Sequence, residues 1–414
     1  MPGTGLLLAP YNESMRLGQG FNSFLQVPCV GNAVTCDESM LVAERPPRGV
    51  SQVVSYSSRL VEKISDIVQI MNISAGSSIK NGSIEVSGNS LWIDEAKFLS
   101  SDMNVLVSVK VLIVLVPDMP PSSVAHYFRV DDEKFSDIYG DCYISGFVEG
   151  GELHGIVSIK VLDASNKKDV ERAIKRRMNG MGPILNEGSD GSQLSSTLSE
   201  TETTISVSWS GGKLINLEDK EWSLDTLLRT AAGFPTKIVC CPRRTWAILT
   251  KYESNRSFVR WADKNKISIP QYQDIQAYTS HLLDMYMAYK ANIARLGAVL
   301  RNPQDYVVSS VHDAISTDVA GLEHQRETMK AQMGLIVKEI DILCINPEKI
   351  GRAEGKFQIP SPEVWISRLP VCHRSLLEIA YGILTWSRYS KLHKQTGVAK
   401  IASVESHKYW GNFQ

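Results

Sequence analysis

The side chains from which catalytic and metal sites are built are present in this sequence, but they are not grouped as such sites require. Eight histidines lie at positions 126, 154, 281, 312, 324, 373, 393 and 407, without the short repeated spacing of metal ligands. Seven cysteines show no regular spacing either, and the adjacent Cys240 and Cys241 lack the CxxC partner that a zinc site needs. We therefore expect structural thiols, no metal and no cofactor.

Motifs of known catalytic centres are also missing from the sequence. The chain has no G-x-S-x-G turn, no P-loop and no HExxH pair, and GTGLLL (3–8) lacks the third glycine of a dinucleotide-binding fingerprint. The acidic runs DDEK (131–134) and EDKE (218–221) are typical of solvated helix starts. A formal net charge of −1 does not favour nucleic acid as a partner. We predict a non-enzymatic protein that binds no nucleic acid.

Positive charge is concentrated in the stretch NKKDVERAIKRRM (166–178). The basic cluster consists of Lys167, Lys168, Arg172, Lys175, Arg176 and Arg177. Such a cluster can approach anionic lipid headgroups, or it can be the solvated face of a helix. The solvated face is the simpler interpretation, and membrane contact stays open as the functional one.

Two glycine pairs lie beside segments in which apolar residues alternate. Gly150-Gly151 precedes one such segment, and Gly211-Gly212 follows another. Paired glycines lack Cβ atoms and tolerate unusual backbone angles, so they can form a hinge in a sheet. They can also be tight turns or bulges. The residues alone leave both interpretations open.

Hydrophobic periodicity predicts an α+β fold that becomes helical beyond residue 221. Apolar residues at helical spacing predict a helix over 51–71, and two long helices are expected on either side of a linker at 302–317. Four segments have the pattern of strands, namely 83–92, 103–117, 153–162 and 203–209. The second of them is apolar on both faces and should be covered on both. This order predicts a four-stranded antiparallel sheet with helices beside it.

Changes in composition predict three parts: a sheet-containing domain at 1–255, a helical hairpin or bundle at 256–345, and a proline-containing connector with a small helical cap at 346–414. No apolar run approaches the ~20 residues of a membrane-spanning helix. The N-terminal stretch does not have the pattern of a secretory signal. We expect a protein that is cytoplasmic as synthesised, and release to act on membranes stays open.

Four stretches together resemble the membrane-attack-complex/perforin and cholesterol-dependent cytolysin (MACPF/CDC) superfamily. YGDCYISGFVEGGELHGIVSIKV (139–161) is similar to the family signature, with Tyr139, Gly140, Gly150 and Gly151 as matching residues. Asp141-Cys142 replaces the usual threonine–histidine of that signature. The other stretches are RLGQGFNSF (16–24), SGNSLWIDEAKFLSSDMNVLVSVKV (87–111) and VSWSGGKLINLEDKEWSLDTLL (207–228). They occur in the family's order, and the chain most resembles uncharacterised fungal members, whose helical C-terminal part is similar to residues 265–370.

The resemblance implies a bent, twisted four-stranded antiparallel sheet flanked by two helical clusters, followed by a C-terminal helical region. The clusters would be inserted after the first and third strands, here at 82–102 and 163–203. In pore-forming members such clusters unravel into membrane-spanning hairpins after ring assembly. The implied function is membrane binding and oligomerisation with pore formation, in a defence or toxin-type role. The implied partners are membrane lipid, anionic lipid included, or a membrane-binding protein, with homo-oligomers on membranes and a monomer or small oligomer in solution.

The residues of the two inserts argue against simple membrane insertion. In the pairs Lys167-Lys168 and Arg176-Arg177, one member faces lipid in any strand register, at roughly 2–4 kcal/mol each near the bilayer midplane. The insert at 82–102 is barely long enough for a hairpin. The alternative is therefore a non-lytic protein of the same fold, a scaffold that uses the helical hairpin at 271–342 as its partner surface. A hydrolase without known motifs is the remaining alternative.

Overall fold

The computed structural model describes residues 7–34, 52–86, 89–115, 135–179, 201–212, 222–350 and 359–373. Contacts between residues divide the chain into two compact units. The first comprises Met1–Ala291 with Gln332–Ile359, and the second comprises Asn292–Ala331 with Pro360–Gln414. No unit boundary falls at residue 255 or 345, so the three-part division made from composition stays a prediction.

The described residues contain strands β1 (Leu7–Pro10), β2 (Gln19–Asn22), β3 (Val27–Asn32), β4 (Val53–Val61), β5 (Glu85–Val86), β6 (Asn89–Trp92), β7 (Met103–Leu115), β8 (Cys142–Val161), β9 (Thr201–Ser210), β10 (Arg243–Lys251), β11 (Tyr306–Val307) and β12 (Val371–Cys372). The helices are α1 (Ile64–Ile70), α2 (Ala75–Asn81), α3 (Glu95–Ser100), α4 (Phe135–Tyr139), α5 (Lys167–Asn179), α6 (Leu224–Ile238), α7 (Arg256–Asn265), α8 (Gln276–Arg301), α9 (Val319–Ile345) and α10 (Glu363–Arg368).

The described residues of the first unit form a main sheet of eight strands, arranged around the twenty-residue strand β8. One path of hydrogen-bonded neighbours runs β1-β10-β8-β2-β3. In addition, β7 and β9 both pair with β8, and β4 pairs with β7. All pairings between these strands are antiparallel. The predicted α+β class with an antiparallel sheet is confirmed. The sheet is larger than the four strands that the sequence predicts.

The order β4-β7-β8-β9 forms a continuous antiparallel run within this sheet. Three of its strands lie where the sequence predicts strands. The fourth, β4, lies within 51–71, where the sequence predicts a helix, and that prediction is wrong for its first half. Apolar residues 53, 54, 60 and 61 fit a helical period, but this segment pairs along its full length with β7. Because β4 is an edge strand with Val53 61% exposed, its side chains do not show the alternation of a buried strand.

Two further boundaries differ from those predicted. The strand predicted at 153–162 begins at Cys142, shortly after α4 ends at Tyr139. The segment 83–92 forms only the short hairpin β5–β6, which is separate from the main sheet. The first helical segment therefore spans residues 62–102, between β4 and β7, and contains α1, α2, the hairpin and α3.

One face of the sheet packs on helices α5 and α6 through a large apolar core. Alternate residues of β7 from Val105 to Val111 are fully buried there with Leu153 and Val157 of β8. Leu106, on the opposite face of β7, is also fully buried. The strand is thus covered on both faces, as its two apolar rows predict.

The second unit contains the end of α8, the start of α9, α10 and the short pair β11–β12. Asn292 donates to the carbonyl of Pro362 at 3.0 Å, and Arg368 donates to the carbonyl of Asp313 at 2.8 Å. These polar contacts join its two chain segments.

Candidate functional site, a glycine joint in the central sheet

Gly150 and Gly151 lie in the middle of β8, at the point where this strand changes its neighbour. On one edge, residues 142–150 pair with β10, whereas residues 152–161 pair with β9. On the other edge, β7 has a register shift at this level, with Leu112 opposite Gly150 and Val114 opposite Glu149. The extra residue in β7 is a bulge, which locally bends and twists a sheet. The turn interpretation of Gly150-Gly151 is wrong because the strand continues through the pair.

The second glycine pair lies against the first. Gly211 and Gly212 follow β9 with φ angles of 79° and 77°, in the left-handed region that favours glycine. A Cβ atom on Gly211 would lie 2.6 Å from the carbonyl oxygen of Gly150. The backbone N–H of Gly212 donates to the carbonyl of Cys241 at 2.8 Å, just before β10 begins. We call these four residues the glycine joint.

Close backbone contacts explain why the joint excludes larger residues. A Cβ atom on Gly150 would lie 1.9 Å from the carbonyl oxygen of Val111, and one on Gly151 would lie 2.1 Å from Cδ1 of Ile238 on α6. The joint therefore brings three strands and a helix into contact at one point. The sequence shows both pairs but does not show that they meet.

Tyr139 and Gly140, the other signature residues, anchor the start of β8 away from the glycine joint. Gly140 has φ of 71°, and a Cβ atom there would lie 2.1 Å from the carbonyl oxygen of Phe21. The carbonyl of Tyr139 accepts a hydrogen bond from the Tyr252 hydroxyl at 2.8 Å. Tyr139 packs in an aromatic cluster that includes Phe135 and Tyr252.

Asp141 and Cys142, which replace the usual threonine–histidine, are buried at the same anchor. The Asp141 carboxyl accepts from the backbone N–H and the hydroxyl of Ser23 at 2.7 and 2.5 Å. Burial raises the pKa of Asp141, and these hydrogen bonds partly oppose that rise. Burial also raises the pKa of the Cys142 thiol, and it raises that of Cys29 to about 12. A thiol with a raised pKa is a poor nucleophile, which fits a structural role.

A buried polar row lies next to the joint on the sheet face opposite the apolar core. His154 contacts Ser108 (Nδ1 to Oγ, 3.0 Å) and Glu152 (Nε2 to Oε2, 3.3 Å). Lys110, which pairs in register with Glu152, donates to the carbonyl of Ile70 at the end of α1. Burial lowers the pKa of Lys110, and the Glu152 carboxylate opposes this shift. The sequence analysis did not predict this polar row, although the polar residues within the apolar strand β7 are a signal for it.

The first helical segment is fastened to helix α8 by polar contacts within the first unit. Asp284 of α8 accepts from the backbone N–H and hydroxyl of Ser65, at 3.0 and 2.8 Å. Lys290 of α8 donates to the carbonyl of Gly82 at 2.8 Å and forms an ion pair with the buried carboxylate of Glu95. The other carboxylate oxygen of Glu95 accepts from the N–H of Ile84 at 3.1 Å. These contacts hold α1, the end of α2 and α3 against one helix.

The second helical segment, residues 162–200, connects β8 to β9, and its residues 180–200 lie outside the described part of the chain. Its helix α5 buries Val170 and Ile174 in the apolar core and carries the basic cluster on its other sides. Most of the cluster is paired with acids: Lys167 with Asp102 (2.9 Å), Arg172 with Asp169 (2.6 Å), Lys175 with Glu171 (2.6 Å) and Arg177 with Asp225 (2.8 Å). Lys168 and Arg176 are exposed and form no ion pair with any described residue.

Both helical segments leave the sheet at the same end. The last residue of β4, Val61, is opposite Asn104, which is in turn opposite Ser158 of β8. Three residues further along β8, Val161 is opposite Thr201 at the start of β9. Each segment therefore connects two neighbouring antiparallel strands, and the two segments begin side by side. Among the described helices, none is both long enough and apolar enough to cross a bilayer.

Comparison with known proteins gives structural likenesses only. No family model matches the sequence, and no curated protein matches it. Among solved structures, stonustoxin is similar with a TM-score of 0.35 and 10% identity, over 82% of this chain and 48% of that one. The human-specific toxin intermedilysin is similar with a TM-score of 0.28 and 12% identity, over 53% of this chain and 44% of its own. Astrotactin-2, a vertebrate perforin-like membrane protein involved in neuronal development, matches with a TM-score of 0.26 and 12% identity, over 58% and 43%.

These matches include toxins and a perforin-like protein. The chain spans about half the length of the proteins it matches or less. Because each of these TM-scores lies below 0.5, we base the proposal below on the geometry of this chain.

Proposed function

We propose that this protein is a non-enzymatic, perforin-like protein that binds membranes, oligomerises there and forms pores. The observation that carries the proposal is the placement of the two helical segments. Each connects neighbouring antiparallel strands, and both leave the sheet at the end away from the glycine joint. A segment in that position can extend its two strands into a longer hairpin without changing their register.

Chain length is compatible with this conversion once the strand boundaries are known. A membrane-spanning β-strand needs roughly 9–11 residues, so a hairpin needs about twice that number and a turn. The first segment, 62–102, has room for this, in contrast to the shorter insert at 82–102 expected from the sequence. Its length is similar to that of the second segment at 162–200.

The glycine joint supports the proposal because an opening sheet must change its curvature. In this chain the joint lies where β8 exchanges β10 for β9 and where β7 has its bulge, a feature that locally bends a sheet. Glycines at that point permit a backbone change that a Cβ atom would block. We propose that the sheet straightens there when the helical segments unfold.

Membrane lipid is the proposed first partner, and a membrane-binding protein is the second. Lys168 and Arg176 are the members of the basic cluster with no acidic partner among the described residues. Ion pairs to neighbouring acids reduce the attraction of the other members to an anionic surface. Each basic residue that remains unpaired contributes about 1 kcal/mol to binding near such a surface. Homo-oligomers would form on the membrane, from a monomer or small oligomer in solution.

A reversible lock tests the proposal. Ser65→Cys with Asp284→Cys would join the first helical segment to α8, at a position where the native side chains already touch. We expect the purified protein to release dye from liposomes of mixed anionic and neutral lipids, the oxidised double variant not to, and a reductant to restore release. Ser65→Cys alone is the control for effects of oxidation on native thiols. Leakage from the oxidised, locked protein equal to that of the reduced one would contradict the proposal.

A non-lytic scaffold is the second candidate function, and one surface feature favours it. The second unit exposes several apolar side chains, namely Val308, Val311, Val319, Val364 and Ile366. Exposed apolar residues of this kind are common in surfaces that bind partner proteins. In that case, the locked and unlocked forms would bind a partner equally and neither would release dye.

A further inference from the structure

A cavity of about 630 Å³ opens in the first unit beside the first helical segment. It lies among the start of β1, the turn between β2 and β3, the connection between α1 and α2, and the start of α8. Small-molecule sites typically enclose about 300–1,000 Å³. The cavity is therefore large enough for a ligand of two or three rings.

The wall of this cavity is polar without being charged. None of its described lining residues is Asp, Glu, Lys, Arg or His. Hydroxyl groups and buried apolar side chains such as Phe24 and Val68, which we call the apolar floor, contribute to it. Five amide side chains also line it, those of Gln26, Gln69, Asn72, Gln273 and Gln276. A phosphate, carboxylate or metal ligand would lack a charged partner here. A wholly apolar ligand would cover amides that no longer reach water, which costs free energy.

Two of the amides belong to residues with left-handed backbone and are held in place by hydrogen bonds. Gln26 and Asn72 have φ angles of 54° and 52°, and the only other such non-glycine residue in the described chain is Lys266. The Gln26 amide donates to the carbonyl of Asn72 and accepts from the N–H of Ser74, both at 2.8 Å, and the Asn72 amide donates to the carbonyl of Leu8 at 2.5 Å. Left-handed backbone outside glycine is costly and concentrates at ligand sites.

The other three amides are available to a ligand. Gln69, Gln273 and Gln276 are exposed and form no side-chain hydrogen bond with any described residue. A primary amide presents two donors and an acceptor. A sugar hydroxyl both donates and accepts, so adjacent hydroxyls on a ring match such amides without any charge.

We infer that this cavity binds a neutral saccharide. The rim amides contact ring hydroxyls, and the apolar floor contacts the C–H face of the ring. The inference does not depend on membrane activity, since the saccharide can be free in solution or can be the headgroup of a glycolipid. Both sources present the same hydroxyl pattern.

Titration of the full chain with cellobiose, lactose and N,N′-diacetylchitobiose, observed by saturation-transfer NMR, tests the inference. We expect saturable binding of at least one disaccharide with a Kd of about a millimolar, the affinity of a few exposed hydrogen bonds. The double change Gln273→Ala/Gln276→Ala should weaken binding at least about fivefold, because two hydrogen bonds are lost. Gln304→Ala, which removes an exposed glutamine elsewhere, is the matched control and should change nothing.

Vesicles of phosphatidylcholine with and without lactosylceramide separate the two sources. Binding to the glycolipid vesicles but not to free lactose assigns a lipid headgroup, and binding to free sugar alone assigns a soluble ligand. In either case Gln273→Ala/Gln276→Ala must weaken it. Three results would overturn the inference: no binding of any disaccharide or glycolipid vesicle, binding that the double change leaves intact, or equal binding of glucose 6-phosphate.

Discussion

The two helical segments occupy equivalent positions in the sheet and both bury apolar side chains, but their polar contacts differ. The first, 62–102, buries Ile64, Ile67 and Phe98 among others, and it is also fastened to α8 by directional polar contacts from Ser65 and Glu95. The described part of the second packs Val170 and Ile174 into the apolar core, and its ion pairs lie mostly at the surface. Removing one partner of a buried polar contact leaves the other unsatisfied, which lowers the free energy of unfolding. Exposed ion pairs contribute little to that free energy.

This difference indicates how each segment could be released. A change in α8, which supplies Asp284 and Lys290, would remove polar contacts of the first segment without touching the sheet. Each segment can leave only by exposing apolar surface to water, unless that surface finds another apolar environment such as lipid. We therefore expect the first segment to respond to charge as well as to a membrane, and the second to respond mainly to a membrane.

The largest effect is expected when the apolar contact of the second segment is removed. Ile174→Ala leaves a cavity in the core and should lower the free energy of unfolding by about 2–5 kcal/mol. Hydrogen exchange should rise first in α5. Lys175→Ala, one residue further along the same helix and exposed, is the control, and an equal loss of stability in both variants would contradict the assignment.

A change at the glycine joint should affect both segments together. Gly150→Ala places a Cβ atom 1.9 Å from the carbonyl oxygen of Val111 and forces the strands apart. We expect a loss of about 1–3 kcal/mol or more in chemical denaturation. Gly233→Ala in α6 meets no atom within 4 Å and should instead be neutral or stabilising. If Gly150→Ala were as stable as Gly233→Ala, the close contact at the joint would be refuted.

The first segment should loosen when its buried carboxylate is removed. Glu95→Ala leaves Lys290 without its acidic partner and the N–H of Ile84 without its acceptor, at a cost of about 1–3 kcal/mol. Hydrogen exchange should increase in residues 62–102 and not in α5. Lys80→Ala, which breaks the exposed pair with Asp341, should cost less than about 1 kcal/mol. Equal protection of α1–α3 in the two variants would show that Glu95 does not hold the segment.

A smaller, pH-dependent effect is expected from Lys110, which joins α1 to the sheet. Its pKa in the folded protein is lowered by burial, so between that pKa and its ordinary value the unfolded chain binds more protons. The stability of the native protein relative to Lys110→Met should therefore rise with pH over the range from the lowered pKa up to the ordinary lysine pKa. Denaturation of both proteins across this range measures it. A difference that stays flat would show that the ammonium group is not desolvated.

The smallest effect is expected for the surface charge of the second segment. Arg172→Ala removes an exposed pair with Asp169 and should change stability by less than about 0.5 kcal/mol. Thermal denaturation at low and at high salt would measure it. A larger loss would mean that the ion pairs of α5, and not its apolar side, hold this segment.

Local periodicity was sufficient to predict several features of this fold. The alternation in 103–115 identified β7 and its two covered faces, and the helical spacing of Ile64, Ile67 and Val68 identified α1. The glycine pairs were visible as candidates for a bend. Each of these features depends on residues that are neighbours along the chain, and so the sequence by itself determined them.

Only the tertiary structure decided which segments meet. β4 is a strand because it pairs with β7, and its own exposed side chains carry little signal. Gly211 lies against Gly150 because β9 and β10 meet on one edge of β8, which no local pattern encodes. The link from Glu95 to Lys290 and the amide-lined cavity likewise join residues far apart in the sequence. Periodicity reports which face of an element is apolar, but the identity of the partner follows from the packing of the whole unit.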